Sequence, residues 1–266
     1  RALQLIALGL RDRIESTAVK PLAIRVMAGG SGREIARIPL GDEAERRYGA
    51  PYWSIHRGDL QAALADAAND TLDVTLELGV RVEEFAPHVR GVSVLGRRGS
   101  QVLDQRGIAL IGADGIWSTV AERLHSQQQP TFRHRTAWRA LVPVESVPAE
   151  FRQPFVHLWL GHDAHLVHYP VKSGRLINIV GIVHDEWNEP GWSADGDRTE
   201  ILRHFVRWTW SEKARALIAI PDRWLKWALF DSKVPFRGTS LPVTLIGDAA
   251  HPMLPFLAQG AAMAIE

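Results

Sequence analysis

The segment from Leu245 to Glu266 constrains the fold more than any other part of this 266-residue chain. Val243–Ile246 predicts a short buried strand, Gly247 and Asp248 predict a tight turn after it, and the small-residue run from Gly260 favours a helix. A carboxylate in such a turn can accept hydrogen bonds from sugar hydroxyls, and the free amides of a helix start can face an anion. The segment therefore predicts a cofactor cradle at the end of a strand.

Three motifs along the chain resemble those of one protein family. Gly247-Asp248-Ala249-Ala250-His251, followed by Pro255, Gln259 and Gly260, resembles the second flavin-binding motif of the FAD-dependent aromatic hydroxylases of the para-hydroxybenzoate hydroxylase superfamily. The stretch Leu110–Ser118, with Asp114 and Gly115, resembles the family's Asp-Gly fingerprint. His56-Arg57-Gly58-Asp59-Leu60 with Leu64 is similar to the start of a helix whose arginine reaches the flavin. The chain most resembles the salicylate hydroxylase and 3-hydroxybenzoate 6-hydroxylase branch.

The resemblance implies an α/β fold, in which a Rossmann-like FAD-binding domain, here incomplete, carries an inserted antiparallel β-rich substrate domain. We predict that residues 1–20, 55–126 and 237–266 form the FAD-binding domain. Residues 21–54 and 127–236 are then predicted to form the substrate-binding sheet domain.

One family feature is missing from the sequence. The Gly-x-Gly-x-x-Gly turn that receives the FAD pyrophosphate is not found, and Gly29–Gly32 instead predicts a hairpin turn between strands at 24–27 and 34–38. Arg1–Leu10 has the spacing of a helix already in progress, and Glu266 falls within a predicted helix. Because a βαβ unit needs about thirty residues or more, we expect that roughly 40 to 50 residues precede the chain and that more follow it. An inactive truncated fragment is accordingly one alternative.

Periodicity places the remaining elements. It predicts helices at 54–70, 118–124 and 199–220, where Trp208 belongs to the apolar stripe, strands at 73–84, 89–97 and 108–111, and a linker at 127–130. Short β-rich runs at 138–144, 155–160, 165–170 and 176–183 predict an antiparallel sheet, which the 21–54 hairpin is expected to join. A Gly, Pro and Trp loop is predicted at 185–197.

Composition excludes several classes of function. The chain has thirty-one Lys and Arg against thirty Asp and Glu, so it has no excess of positive charge that would attract nucleic acid. No apolar run is long enough to cross a membrane. The lack of cysteine removes thiolate chemistry and is compatible with the cytoplasm, which we take as the expected location. Most of the ten tryptophans lie between Trp138 and Trp227, where they predict either walls of a substrate lid or ordinary core.

The predicted cofactor residues each have a second interpretation. By resemblance, Asp248 accepts hydrogen bonds from the FAD ribityl chain, and the amides of Gly260 and Ala261 face the flavin, with Gly247 and Pro255 shaping the loop. Arg57, Asp114 and Gly115 are predicted to bind FAD as well. The alternatives are a self-capping turn for Asp248, plain helix initiation for Gly260, an exposed helix arginine for Arg57 and a surface turn for Asp114.

Catalytic candidates come from the β-rich region and the last loop. His165 and Tyr169 are four residues apart on a predicted strand and therefore share a face. By resemblance, His165 is the base for the substrate phenol and Tyr169 orients the ring, while Gln259 borders the flavin and substrate; a surface histidine beside a core tyrosine is the alternative. Arg139 either faces the same pocket or lies in solvent. His157, His162, His165 and His168 are close in sequence, but alternation places them on both faces, so we predict no metal site.

The resemblance implies a reaction in which NADH or NADPH reduces FAD, dioxygen forms a flavin C4a-hydroperoxide, and a phenolic acid of the salicylate or 3-hydroxybenzoate type is hydroxylated. The small aromatic substrate and dioxygen are the expected partners, and the resemblance also allows a homodimer. An epoxidase, a halogenase or a reductase of the same superfamily remains an alternative.

Overall fold

A computed structural model describes residues 2–125, 129–189, 191, 193–206, 209–232 and 241–265. Gln127 and Gln128 of the predicted linker, Trp208 of the predicted helix and Glu266 lie outside the described residues. The predicted domain boundaries at 126/127 and 236/237 also lie there.

The described residues form strands and helices that are numbered here in chain order. The strands are β1 (Ala23–Ala28), β2 (Glu34–Pro39), β3 (Arg81–His88), β4 (Gly91–Arg98), β5 (Gln101–Gly107), β6 (Leu110–Gly112), β7 (Thr131–Pro143), β8 (Phe155–Leu160), β9 (Ala164–Val171), β10 (Leu176–His184), β11 (Ala194–Asp197), β12 (Arg223–Asp231) and β13 (Val243–Leu245). The α-helices are α1 (Ala2–Ala7), α2 (Arg11–Glu15), α3 (Asp42–Tyr48), α4 (Arg57–Asn69), α5 (Thr119–His125), α6 (Arg198–Leu202), α7 (Glu212–Ala219) and α8 (Gly260–Ile265). No helix among the described residues combines the length and the apolar character needed to cross a bilayer.

The chain divides into two compact units. Unit 1 contains Thr71–Arg133 and Phe230–Glu266, and unit 2 contains Ala2–Asp70 and His134–Leu229. This grouping places residues 2–20 and 55–70 with the large sheet of unit 2. Which unit binds which molecule stays a prediction.

Unit 2 is built on an eight-stranded sheet in the order β11-β12-β7-β10-β9-β8-β1-β2. The predicted hairpin of β1 and β2 is confirmed, and it joins the large sheet as expected. The expectation of a purely antiparallel sheet is wrong at one point, because β1 pairs with β8 in parallel, from Ala23 opposite Phe155 to Ala28 opposite Leu160. The hairpin and the strand β8 are far apart in sequence, so no tight turn forces them to be antiparallel.

One face of this sheet forms the core of unit 2. Trp138, Trp159 and Trp224 are fully buried there and pack with aliphatic and aromatic side chains from α6, α7 and the neighbouring strands. The core interpretation of these three tryptophans is therefore confirmed, and they do not line a substrate lid. We call this side of the sheet the core face and the opposite side the second face.

Unit 1 contains two small sheets. The strands β3, β4 and β5 form an antiparallel meander, and β6 pairs in parallel with β13. Its core is small: Val92, Val120 and Val243 are buried, and Phe85 and Leu110 are among the partly buried side chains that pack on them. Of the predicted buried strand at 243–246, only Val243 is fully buried, because Thr244 and Ile246 face outward.

Three predicted elements have other bounds in the structure. Residues 73–80 form no strand, although they alternate, because Val74, Leu76 and Leu78 are exposed and have no partner strand among the described residues. The predicted helix at 199–220 is two helices, since Ser211 accepts a hydrogen bond from Ala214 N at 3.4 Å and begins a new one. The predicted loop at 185–197 ends in the short strand β11, and β5 was not predicted.

Candidate active site

In unit 1, two neighbouring parallel strands end beside each other. Leu245 on β13 lies opposite Gly112 on β6, and Ile246 N donates to Gly112 O at 2.9 Å. Asp114 and Asp248 follow these two strands, so both carboxylates lie at the carboxyl edge of the same two-stranded sheet. Ligands of open α/β sheets bind at this edge.

Asp248 lies in a turn of 3-10 helix from Gly247 to Ala249, which Gly247 enters with φ +57°, a value that favours glycine. The Asp248 side chain is exposed, and among the described residues its carboxylate forms no ion pair. A Cβ placed on Gly260 would lie 3.9 Å from Asp248 Oδ1, so the free carboxylate and the start of α8 adjoin one another. The self-capping alternative has no support, because no hydrogen bond joins this carboxylate to the described residues of its own turn.

The loop between this turn and α8 follows the predicted pattern. Pro255 opens a second 3-10 turn that ends at Ala258, which has a left-handed backbone with φ 52°. Gln259 is half-buried, its carbonyl accepts from Met263 N at 2.8 Å, and the helix begins at Gly260 and Ala261, as predicted. Gly260, with no side chain, leaves the backbone amides at the start of the helix open to approach.

Asp114 has a structural task. Its carboxylate accepts hydrogen bonds from Ser118 Oγ and from Val120 N, the latter at 3.2 Å, and thereby caps α5. Gly115 has φ +78°, which a side chain would strain. A Cβ on Gly112 would come within 2.8 Å of Leu245 Cδ2 and 2.9 Å of Val120 Cβ, so the first glycine of this motif allows β6, β13 and α5 to pack closely. Carboxylate oxygens accept more than one hydrogen bond each, so this cap leaves Asp114 able to bind a ligand.

Arg57 belongs to unit 2, where it is the first residue of α4 and is exposed. The preceding His56 caps the helix, since its Nδ1 accepts from Gly58 N at 3.2 Å. Asp59, in the first turn of the helix, forms an ion pair with Lys172 of the turn between β9 and β10. This ion pair holds the N-terminal turn of α4, and hence Arg57, against the sheet of unit 2.

His165 and Tyr169 lie on the second face of β9, as predicted from their spacing. The strand register forms rows across this face: His165 is opposite Ile182, which is opposite Ala137, and Tyr169 is opposite Asn178. Burial lowers the pKa of His165, and the charge of Arg135 lowers it further. His165 is therefore neutral at pH 7 and able to accept a proton.

Tyr169 lies among polar and aromatic side chains of unit 2. Burial raises the pKa of its phenol, although the charge of Arg139 and a side-chain hydrogen bond with Asn178 act in the opposite direction. Tyr52 is near enough for Tyr169 to raise its pKa further, after burial as the main cause. Arg139 packs its guanidinium over the ring of Trp227, with Cζ 4.9 Å from the ring centre.

The sequence pattern leaves Arg139 open between pocket and solvent, and it does not indicate Asn178, Tyr52 or Trp227. A signal for Asn178 exists: it is a polar residue, only 5% exposed, in the otherwise apolar strand Leu176–His184. Arg139 is half-buried beside Trp227, so the interpretation as a solvated strand position is wrong. The structure thus brings together His165, Tyr169 and Arg139 on one sheet face of unit 2.

The four clustered histidines are separated by strand alternation. His157 and His168 lie on the core face, fully buried, with their rings stacked at 4.3 Å between centroids. His162 is exposed and bonds Asp163 Oδ2 at 2.7 Å, and His165 is on the second face. Among the described residues no three His, Cys, Asp or Glu side chains are grouped as metal ligands would be.

Comparison with known proteins identifies the family. Residues 4–266 match the model of the FAD binding domain family. The chain is 32% identical over 260 residues to 3-hydroxybenzoate 6-hydroxylase 1 of Aquipseudomonas alcaligenes, covering 98% of this chain and 65% of that protein. It is 36% identical over 262 residues to 3-amino-4-hydroxybenzoate 2-monooxygenase of Streptomyces cremeus, covering 97% of this chain and 62% of that protein. The chain thus spans a little under two thirds of the length of these relatives.

Solved structures share the fold. A substrate complex of salicylate hydroxylase superposes with a TM-score of 0.78 at 23% identity, covering 99% of this chain and 67% of that one. Klebsiella pneumoniae HpxO, complexed with FAD and uric acid, superposes with a TM-score of 0.81 at 24% identity, covering 99% and 65%. The chain therefore belongs to the FAD binding domain family.

Proposed function

We propose that the protein hydroxylates a phenolic aromatic acid of the salicylate or 3-hydroxybenzoate type, using FAD, NADH or NADPH, and dioxygen. The observation that carries the proposal is the second face of the sheet, where a neutral histidine, a phenol and a cation are aligned. The relatives named for hydroxybenzoate hydroxylation support the same reaction class.

The residues of unit 1 fit FAD. Asp248 presents an exposed carboxylate, without an ion pair among the described residues, beside the open start of α8, which suits the hydroxyls of a ribityl chain. Gly247, Gly260, Ala261 and Pro255 give the loop the shape that keeps those amides accessible, and Asp114 with Gly115 forms the neighbouring turn. Arg57 is also proposed to bind FAD. Bound FAD supplies the redox chemistry with NAD(P)H and dioxygen that amino-acid side chains lack.

The substrate phenol must lose its proton for the ring to become electron-rich. Transfer from a phenol of pKa about 10 to a histidine of pKa about 6.5 is uphill by roughly 5 kcal/mol. Burial increases this cost at His165, because it lowers the pKa of the base. Neighbouring positive charge reduces the cost by stabilising the phenolate, and Arg139 near Tyr169 supplies such charge, whereas Arg135 lowers the pKa of His165 further.

In this proposal His165 accepts the phenol proton, Tyr169 orients the ring by hydrogen bonding, and Gln259 is a further catalytic residue. The site must also exclude water, since water would let reactive states of the bound cofactor decay without forming product. His165 and Tyr169 are both partly covered, which meets that requirement.

The test has two parts. The purified protein, reconstituted with FAD, is expected to show a flavin absorbance spectrum and to form hydroxylated products from a panel of hydroxybenzoates with NADH or NADPH. Asp248→Asn is expected to weaken FAD binding by about tenfold or more, the effect of losing a charge-assisted hydrogen bond.

Asp104→Asn is the matched control, because Asp104 is an exposed carboxylate of unit 1 on β5. Equal FAD affinities for the two variants would contradict the role of Asp248. A protein that binds FAD but hydroxylates none of the panel would contradict the proposed reaction.

A further inference from the structure

The turn between β9 and β10 has a strained backbone. Lys172, Ser173 and Gly174, which we call the β9–β10 turn, are all left-handed, with φ of 55°, 54° and 83°. Such values are unfavourable for a residue that carries a side chain, so two of them in a row persist only where other contacts hold them. The reason for the strain therefore lies in what Lys172 and Ser173 contact.

The contacts of the β9–β10 turn reach two helices of unit 2. Ser173 N donates to Thr17 O at 2.8 Å, and Ser173 Oγ donates to Ser16 O at 2.9 Å, just beyond the end of α2. Lys172 forms an ion pair with Asp59 in the first turn of α4. The turn thus joins the end of α2 and the start of α4 to the end of β9.

The charge of Asp59 depends on Lys172. The side chain of Asp59 is only 13% exposed, and its second oxygen, Oδ2, is buried without a hydrogen-bond partner among the described residues. A shielded carboxylate that loses its cation becomes an uncompensated charge, and its surroundings must rearrange to bring it into contact with water. Loss of Lys172 should therefore displace the first turn of α4.

A second contact holds the chain on the other side of Arg57. Ser54, three residues before Arg57, is buried, and its Oγ donates to Pro170 O at 2.8 Å near the end of β9. Asp59, two residues after Arg57, is held by Lys172, which directly follows β9. The same end of one strand therefore fixes the backbone before and after Arg57.

The rotation of α4 about its axis decides where Arg57 points. Two positions along an α-helix differ by about 200° around the axis, so the pairing of Asp59 with the β9–β10 turn also sets the direction of Arg57. Burial lowers the pKa of Arg139, Tyr169 opposes this shift, and the nearby charge of Arg57 lowers the pKa as well. Because these two cations repel each other, Arg57 would move away if the helix were not held.

We infer that Lys172 is a positioning residue for the cofactor, which holds Arg57 in place for FAD through Asp59. The inference rests on the proposed function, in which Arg57 binds FAD. Lys172 acts through the helix and not through contact with FAD. Since β9 also carries His165 and Tyr169, the β9–β10 turn connects the proposed cofactor arginine with the strand of the proposed catalytic residues.

The affinity for FAD tests this inference without any turnover. Dissociation constants are measured by titrating the FAD-free protein and its variants with FAD and following the flavin fluorescence. We expect Lys172→Met to weaken FAD binding by about fivefold or more, a usual size for coupling between residues of one network. Lys172→Arg, which keeps the cation, is expected to recover most of the affinity.

Arg13→Met is the matched control. Arg13 pairs with Asp70 at 2.6 Å at the other end of α4, so this variant removes an ion pair of the same helix away from Arg57. It is expected to leave the FAD affinity unchanged. Equal weakening in Arg13→Met and Lys172→Met would show that both pairs only stabilise the helix, and this would overturn the inference. Unchanged affinity in Lys172→Met would overturn it as well.

Two double variants separate positioning from a general loss of structure. Lys172→Met combined with Arg57→Met is expected to bind FAD no more weakly than Arg57→Met alone, because Lys172 acts through Arg57. Additive losses would contradict this route. If Lys172→Met does not fold because Asp59 is left unpaired, Lys172→Met combined with Asp59→Asn removes both charges and is expected to show the same loss of affinity. Full FAD affinity in that variant would overturn the inference.

The proposed function fails separately from this inference. Turnover of hydroxybenzoates by the unmodified protein tests hydroxylation, whereas the FAD titrations require no turnover. A protein whose FAD affinity depends on Lys172 but which forms no hydroxylated product would contradict only the proposed reaction. If Arg57→Met binds FAD as tightly as the unmodified protein, the cofactor role of Arg57 and the inference on Lys172 are both wrong.

Discussion

The two faces of the large sheet use the same residue types for different purposes. His168 and His165 are three residues apart on β9, and both are shielded from water. His168 stacks on His157 in the core, and neither of its ring nitrogens has a hydrogen-bond partner among the described residues. His165 shares its face with Tyr169 and Arg139, which carry charge or exchangeable protons. The side of the strand, rather than the residue type, therefore decides whether a histidine packs in the core or lies beside polar and charged side chains.

The largest expected effect comes from a substitution on the second face that should leave the core face intact. His165→Ala is expected to slow hydroxylation by about 10² to 10⁴-fold, the usual contribution of a general base, while NAD(P)H oxidation in the presence of substrate falls much less. Product yield per NAD(P)H consumed measures the difference. His168→Phe is the matched control on the same strand, and it is expected to leave that yield unchanged. Equal losses in hydroxylation and in NAD(P)H oxidation for His165→Ala would remove His165 from the role of base.

Two tryptophan substitutions compare the two faces through their effects on the free energy of unfolding. Trp138→Ala on the core face is expected to lower the free energy of unfolding by about 3 to 5 kcal/mol, because it leaves a large cavity in a fully buried cluster. Trp227→Ala on the second face is expected to cost clearly less, since its ring is only half-buried and packs on Arg139. Urea denaturation of both variants measures the two values. Equal losses would mean that the second face is packed as tightly as the core.

Low pH is expected to lower the free energy of unfolding through the buried histidines of the core face. Burial lowers the pKa of His157 to about 4, with a smaller contribution from Arg25, so the folded state holds it neutral where the unfolded chain takes up a proton. Its contribution to stability is therefore complete above pH 6.5 and is lost as the pH falls from 6.5 to about 4. The loss amounts to about 3 kcal/mol.

His168 acts in the same direction, since burial lowers its pKa well below the usual value. His157→Phe keeps an aromatic ring and is expected to reduce the loss of stability between pH 7 and pH 4.5, measured by urea unfolding at both pH values. His162→Phe, at an exposed histidine, is expected to change this pH dependence little. An unchanged pH dependence in His157→Phe would show that the stacked pair is not the acid-sensitive element.

The sequence predicted the motifs more accurately than their surroundings. The turn at Gly247 and Asp248, the helix from Gly260 and the shared face of His165 and Tyr169 follow from local rules of turns, caps and strand alternation, and the structure confirms each of these placements. Whether these residues bind FAD or the substrate stays a prediction, since their roles rest on resemblance.

Features that depend on contacts between residues far apart in the sequence were harder to predict. Asn178 and Arg139 meet Tyr169 only because three strands pair in one register, and no local pattern encodes that register. Residues 73–80 show the opposite case. They have the alternating pattern of a strand, but they form none because no neighbouring strand pairs with them among the described residues. The cap that Asp114 provides for α5 was also missed, because a family motif suggests a ligand before it suggests a structural task.

The smallest expected effect concerns the hydroxyl that joins two strands of the second face. Tyr169→Phe removes the hydrogen bond with Asn178, which is only 5% exposed, and leaves a buried amide without that partner. The expected loss is about 1 kcal/mol in the free energy of unfolding, the usual value for one neutral hydrogen bond. If Tyr169 also orients the substrate, the variant should lower kcat for hydroxylation while the FAD spectrum stays unchanged. A loss of stability without any change in kcat would place Tyr169 with the packing residues, and the second face would then resemble the core face at this row.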